Sequence, residues 1–101
     1  MKTIDIQAKE WFDKVNGNSY FAGSVTVDYG MPTQQIFNMP FQYGYGDHYR
    51  DIAYRLLQSK GVIKDATERE QLWQYAERNN IIVRYSMQRK CKQRELKAFN
   101  Q

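Results

Sequence analysis

The chain has 101 residues, a formal net charge of +4, 42% hydrophobic residues and 15% aromatic residues. That is enough for one domain with a packed core and too little for two. The aromatic content argues against a disordered chain, no apolar run nears the roughly 18 residues needed to span a bilayer, and the lone Cys91 excludes an internal disulfide.

The opening Met1-Lys2-Thr3-Ile4-Asp5 lacks the apolar segment of a secretory signal. A soluble protein of a reducing cytoplasm is therefore expected, with no membrane contact. Charge is unevenly placed. Residues 1–47 hold three Lys/Arg against five Asp/Glu, and residues 48–101 hold twelve against six, so the halves carry −2 and +6. A basic half attracts polyanions, nucleic acid among them, although a solvated surface has the same composition.

In chain order, the first element is a hairpin. Asn16-Gly17 suits a two-residue type I′ turn, because both residues accept positive φ. Pairing outward sets Val15 opposite Asn18, Phe12 opposite Phe21, Ala8 opposite Val25, Ile6 opposite Val27 and Ile4 opposite Tyr29. From Phe12 and Phe21 outward these residues share one face, and a slip of one residue would move one strand's set to the other face. Two strands of roughly 3–15 and 18–29 follow from this turn. After Gly30-Met31-Pro32, a third strand runs from Gln35 to about Tyr43, with Phe37, Met39, Phe41 and Tyr43 alternating onto one face. Pro40 cannot donate to a ladder, so this strand is an edge or carries a bulge.

Asp47 then caps a helix with an apolar stripe of Tyr49, Ile52, Ala53 and Leu56, ended by Gly61. Thr67 and Glu70 form a capping box for a second helix that buries Leu72, Trp73, Tyr75 and Ala76 and ends at Asn79-Asn80. A fourth strand spans Ile81 to Met87. The basic tail 89–101 reads either as a continued strand or as a short helix around Leu96 and Phe99, and as the part of the domain most prone to fraying. The order β-β-β-α-α-β predicts one α+β domain over residues 1–101, an antiparallel four-stranded sheet with two helices packed on one face.

Catalytic signals are sparse. His48 is the only histidine and reads as a surface or capping residue. Cations flank Cys91 and would favour its thiolate, but no positioned partner is visible, so the thiol reads as structural. No phosphate loop or metal-ligand spacing is present, and Glu95-Leu96-Lys97 is too short a fragment to indicate a nuclease. A non-enzymatic protein without cofactor or metal is expected. Gly44-Tyr45-Gly46 has the glycine-aromatic-glycine form of an RNA-recognition motif, but its flanks and the element order do not fit that module.

Two binding surfaces are open. Arg84, Arg89, Lys90, Lys92 and Arg94, with Tyr45 and His48 adding a contact, would serve nucleic acid. Trp11, Tyr20 and Tyr43 would anchor a protein partner. A monomer or a homodimer paired through an edge strand is compatible with either.

The segments EWFDKVNGNSYFAGSVTVD (residues 10–28) and PFQYGYGDHY (residues 40–49), with the Ile/Ala/Leu-rich helix that follows, resemble a group of small uncharacterised proteins of tailed bacteriophages. The likeness covers roughly residues 8–60, while Met31-Pro32-Thr33 departs from the tight connection of that group. It implies a viral accessory protein in the bacterial cytoplasm, acting on nucleic acid or on a host enzyme or defence complex. It carries no site residues with it.

Overall fold

A computed structural model describes residues 1–99. The elements are β1 (Thr3–Asp13), β2 (Asn18–Val27), β3 (Gln35–Tyr43), α1 (His48–Ser59), α2 (Leu72–Arg78), β4 (Ile82–Gln88) and α3 (Gln93–Lys97). The fold is α+β, with strands in the order β3-β2-β1-β4. No helix among the described residues is long and apolar enough to cross a membrane.

The sheet is mixed rather than antiparallel throughout. β1 pairs antiparallel with β2, and β2 with β3, but β4 runs parallel to β1, with Thr3 beside Ile82 and Lys9 beside Gln88. The physical reason is the return path. β3 finishes at the hairpin end, where Tyr43 lies beside Tyr20, and the helical crossover carries the chain back to the start of β1. A strand begun there has to run the same way as β1.

The hairpin register differs from the expected one by two residues. Ile4 faces Val27, Ile6 faces Val25 and Asp13 faces Asn18. Asp13 sets this register. Its carboxylate accepts from the Val15 and Asn16 amides at 3.0 and 3.3 Å and from the Asn16 side chain at 2.8 Å. The Gly17 amide closes the loop onto the Asp13 carbonyl at 2.8 Å, with Gly17 at φ +71°. The turn is thus a four-residue loop over 14–17 in which only Gly17 is left-handed. A two-residue shift keeps every side chain on its face, so the expected segregation survives.

That face makes the main core. Ile4, Ile6, Ala8, Phe21, Val25, Val27 and Met39 lie under Tyr49, Ala53, Tyr54 and Leu57 of α1 and Leu72, Tyr75 and Ala76 of α2. Ile52 and Leu56 are only half-buried, because Tyr54 and Leu57 turn inward beside them. α2 begins five residues later than Thr67. The Thr67 amide does reach the Glu70 carboxylate at 3.4 Å, but Arg69 adopts φ +73° and interrupts any helix there. Glu70 instead clamps Arg78 of α2 at 2.6 Å, and Gln74 caps the true start by accepting from the Gln71 amide at 2.9 Å. Trp73, expected in the core, is 55% exposed.

Among the described residues, the opposite sheet face is covered by α3 at the hairpin end. There α3 packs across β1, β2 and β3, burying Leu96 and Cys91 on Ala22. Of the tail expected to fray, residues 93–97 form α3, and Cys91, Leu96 and Phe99 pack against the sheet, while Arg89, Lys90 and Lys92 are exposed outside the helix; Asn100 and Gln101 lie outside the described residues.

Candidate nucleic-acid interface

Pro40 decides where the aromatic residues go. β2 and β3 change register between Phe21 and Gly23, where Gln42 faces Phe21 but Met39 faces Gly23. One extra residue on β3 reverses the alternation beyond it. Phe37 and Met39 therefore enter the main core, while Phe41 joins Trp11 and Tyr20 on the other face. The expectation that Phe37, Met39, Phe41 and Tyr43 share one face fails for this reason.

The bulge assembles an aromatic row. Tyr20 stacks on Phe41 with ring centroids 5.0 Å apart and planes 9° from parallel. Trp11 lies 5.6 Å from Tyr20 and 6.1 Å from Phe41. Tyr43 meets Tyr20 edge-on at 5.9 Å. Trp11, Tyr20 and Phe41 are half-buried against Leu96 and Phe99, so α3 roofs part of the row. Tyr43 is 59% exposed at its open end.

Beyond Tyr43 the row turns into a pocket of about 360 Å³ lined by Tyr43, Gly44, Tyr45 and His48. Gly44 permits it. A Cβ there would stand 2.6 Å from the Phe21 ring and 2.7 Å from His48 Cδ2. The imidazole meets Phe21 edge-on at 6.1 Å, and Tyr45 is 69% exposed. No carboxylate of the described residues lines this pocket. Asp47, which precedes α1, makes no side-chain capping bond and lies 3.7 Å from Arg50 instead.

The five expected cations divide into two groups. Arg84 is held by Asp5 through two bonds of 2.6 and 2.9 Å. Asp5 and Trp11 are six residues apart on β1, which places Arg84 about 20 Å from the aromatic row. Arg89 is held by both oxygens of Glu10 at 3.1 and 3.2 Å. Lys90, Lys92 and Arg94 are exposed and have no carboxylate partner among the described residues, and Lys97 of α3 joins them. Glu95, the only acid of this segment, lies 3.7 Å from Lys9. The structure thus brings Lys90, Lys92 and Arg94 together with Trp11, Tyr20 and Tyr43 at one end of the sheet, and Tyr45 with His48 next to them. It leaves Arg84 apart.

Phe41 and Lys97 also belong to this surface and are not evident from alternation alone. Pro40 is the signal that would have found Phe41. A second cleft, of about 490 Å³, lies between α1, α2 and β4 beside Asp47, Arg50, Trp73 and Tyr85. Arg50 rests 3.9 Å over the Tyr85 ring and bonds the Tyr49 hydroxyl at 3.2 Å, so its cation is largely engaged within the protein.

Cys91 does not follow its basic neighbours. It is buried, its Sγ donates to the Gln88 carbonyl at 3.4 Å, and burial followed by Glu95 pushes the thiol pKa up. Native protein at neutral pH should therefore react with a thiol reagent at least about tenfold more slowly than protein in denaturant. Equal rates would show that the α3 roof is not closed. No protein-family model, curated protein or solved structure matches this chain.

Proposed function

We propose that this chain is a non-enzymatic binding module, of the phage accessory type that its sequence resembles, which contacts nucleic acid at the α3 end of the sheet. The observation that carries the reading is the position of Lys90, Lys92 and Arg94. All three are exposed, free of carboxylate partners among the described residues, and placed on the segment that crosses the aromatic row. Cations along a strand's path with aromatic faces beside them suit a flexible polyanion carrying flat bases. Arg84 and Arg89 contribute less, because an approaching phosphate has to compete with Asp5 and Glu10.

The test is charge reversal. Lys90→Glu, Lys92→Glu and Arg94→Glu together should weaken binding to a short DNA strand by at least about a hundredfold at low salt. All three side chains are exposed, so the melting temperature should change little. Undiminished binding by this variant would rule the site out.

The rival reading is a protein-contact module. Phe12 and Val15, exposed by 49% and 92% at the hairpin end, favour it. Of its expected anchors, Trp11 and Tyr20 are already packed beneath α3, which leaves Tyr43 as the freely presented one. Capture of a bacterial protein that survives nuclease and high salt, with no nucleic-acid binding by the pure chain, would favour this reading instead.

A further inference from the structure

We propose that the pocket of Tyr43, Gly44, Tyr45 and His48 takes one unstacked nucleobase, so that the module prefers single strands and is tolerant of base identity. This rests on the nucleic-acid reading above and specifies its ligand.

Three features of the pocket lead there. Its volume of about 360 Å³ falls in the range of small-ligand sites, roughly 300–1,000 Å³. Its lining is two phenol rings, an imidazole and a glycine backbone. Such walls offer π-faces to a flat heterocycle. The hydroxyls of Tyr43 and Tyr45 and the imidazole nitrogens have no hydrogen-bond partner among the described residues. They are free to meet polar atoms on a base edge. Among the described residues the lining holds no carboxylate, guanidinium or carboxamide, the groups that make the paired contacts distinguishing one base from another. Stacking without such pairing tolerates any base.

Position supplies the rest. The pocket opens at the end of the row that runs through Tyr43, Tyr20 and Phe41 toward α3. A strand whose phosphates lie along Lys90, Lys92 and Arg94 would cross Tyr43 before its next base reaches Tyr45. A duplex keeps its bases inside the stack and cannot present one here without breaking a pair.

Binding of the full chain to three labelled twelve-nucleotide probes tests this: oligothymidylate, the same strand with abasic residues, and a mixed-sequence duplex. Wild type should bind oligothymidylate about tenfold more tightly than the abasic strand. Tyr45→Ala should erase that difference, bringing its binding of oligothymidylate to the level of its binding of the abasic strand. Tyr45→Phe should retain it, because the π-face remains. Tyr45 is exposed, so a melting curve like that of wild type is expected and checks the variant.

Equal wild-type binding of the base-bearing and abasic strands, with the charge-reversed variant still defective, would overturn the pocket and leave the nucleic-acid reading in place. Tighter binding to the duplex than to the single strand would likewise overturn it. Absence of binding to all three probes at low salt would overturn both.

Discussion

Gly23→Ala should destabilise the protein by about 3 kcal/mol or more, the upper end of the range for overpacked sites. Gly23 sits on β2 opposite Ala8 of β1, in the centre of the sheet. A Cβ built there lands on the Gln7 carbonyl oxygen and 2.8 Å from Ala8 Cα. Both are backbone atoms of a paired strand, so no rotamer change relieves the clash. The strands have to separate where β1·β2 pairing and the β3 bulge meet. A domain of this size loses roughly 4–8 °C of melting temperature per kcal/mol, so a fall of more than about 12 °C is expected by thermal denaturation. Gly30→Ala is the contrast. Gly30 has nothing within 4 Å of a built Cβ, and only its φ of +77° opposes a side chain, a penalty of roughly 1–2 kcal/mol. If Gly23→Ala melts within a few degrees of wild type, the close approach of β1 and β2 is wrong.

Asp28→Ala should come next, at about 2–4 kcal/mol, the range for stranding several buried partners of one carboxylate. Among the described residues, Asp28 is the one polar or charged residue in the buried set. Its Oδ1 accepts from the Lys2 and Thr3 amides at 2.6 and 3.2 Å, and its Oδ2 from the Thr33 hydroxyl at 2.8 Å. One side chain thus ties the start of β1 to the loop between β2 and β3. The residue stands at φ +53°, which Asn tolerates far better than Ala. Asp28→Asn should therefore lose less than Asp28→Ala.

The pH dependence follows from the same bonds. The Lys2 amide, helped by Thr33 and Thr3 and opposed by burial, holds the carboxyl below its usual range. A folded pKa below the unfolded one means that the unfolded chain binds the proton more readily. The contribution is complete above the unfolded value, about 3.9, and is lost as pH falls through the lowered folded value. Denaturation series on wild type and Asp28→Asn should converge as pH drops below about 4. A constant gap from neutral pH into that acid range would contradict the assignment.

Both of these residues show where sequence reasoning stops. Alternation in TIDIQAKEWFD and NSYFAGSVTV reveals which face each side chain takes, because the strand period is two. It does not reveal the absolute register, since a shift of two preserves every face. Asp13 supplies that through a turn longer than Asn16-Gly17 suggests. Gly23 carries no pattern at all; its role exists only once Gln7 is known to lie against it. β4 reads clearly as a strand from Ile81, Val83, Tyr85 and Met87, yet its parallel direction depends on where the crossover ends. The lateness of α2 turns on Arg69, whose left-handed backbone no propensity would single out.

The site was partly legible in the same way. Lys90, Lys92 and Arg94 are plain from the sequence as cations, but Glu10 and Asp5 lie some 79 residues from Arg89 and Arg84, and only the fold pairs them. In PFQYGYGDHYRD, the proline marks the bulge, but its consequence is three-dimensional. It moves Phe41 and Tyr43 off the core face and onto the face where Trp11, Tyr20 and α3 wait. Tyr45 and His48, which look superfluous to a strand-to-helix joint, become two walls of one pocket.

The salt dependence of binding to a single-stranded oligonucleotide tests the central claim most directly. Each phosphate neutralised on a single strand contributes about −0.7 to the slope of log K against log salt. Contact by three or four of Lys90, Lys92, Arg94 and Lys97 predicts a slope of about −2 to −3, or roughly a 20- to 50-fold loss between about 50 and 200 mM salt. Binding that is absent at the low salt, or present with a slope near zero, would contradict the account.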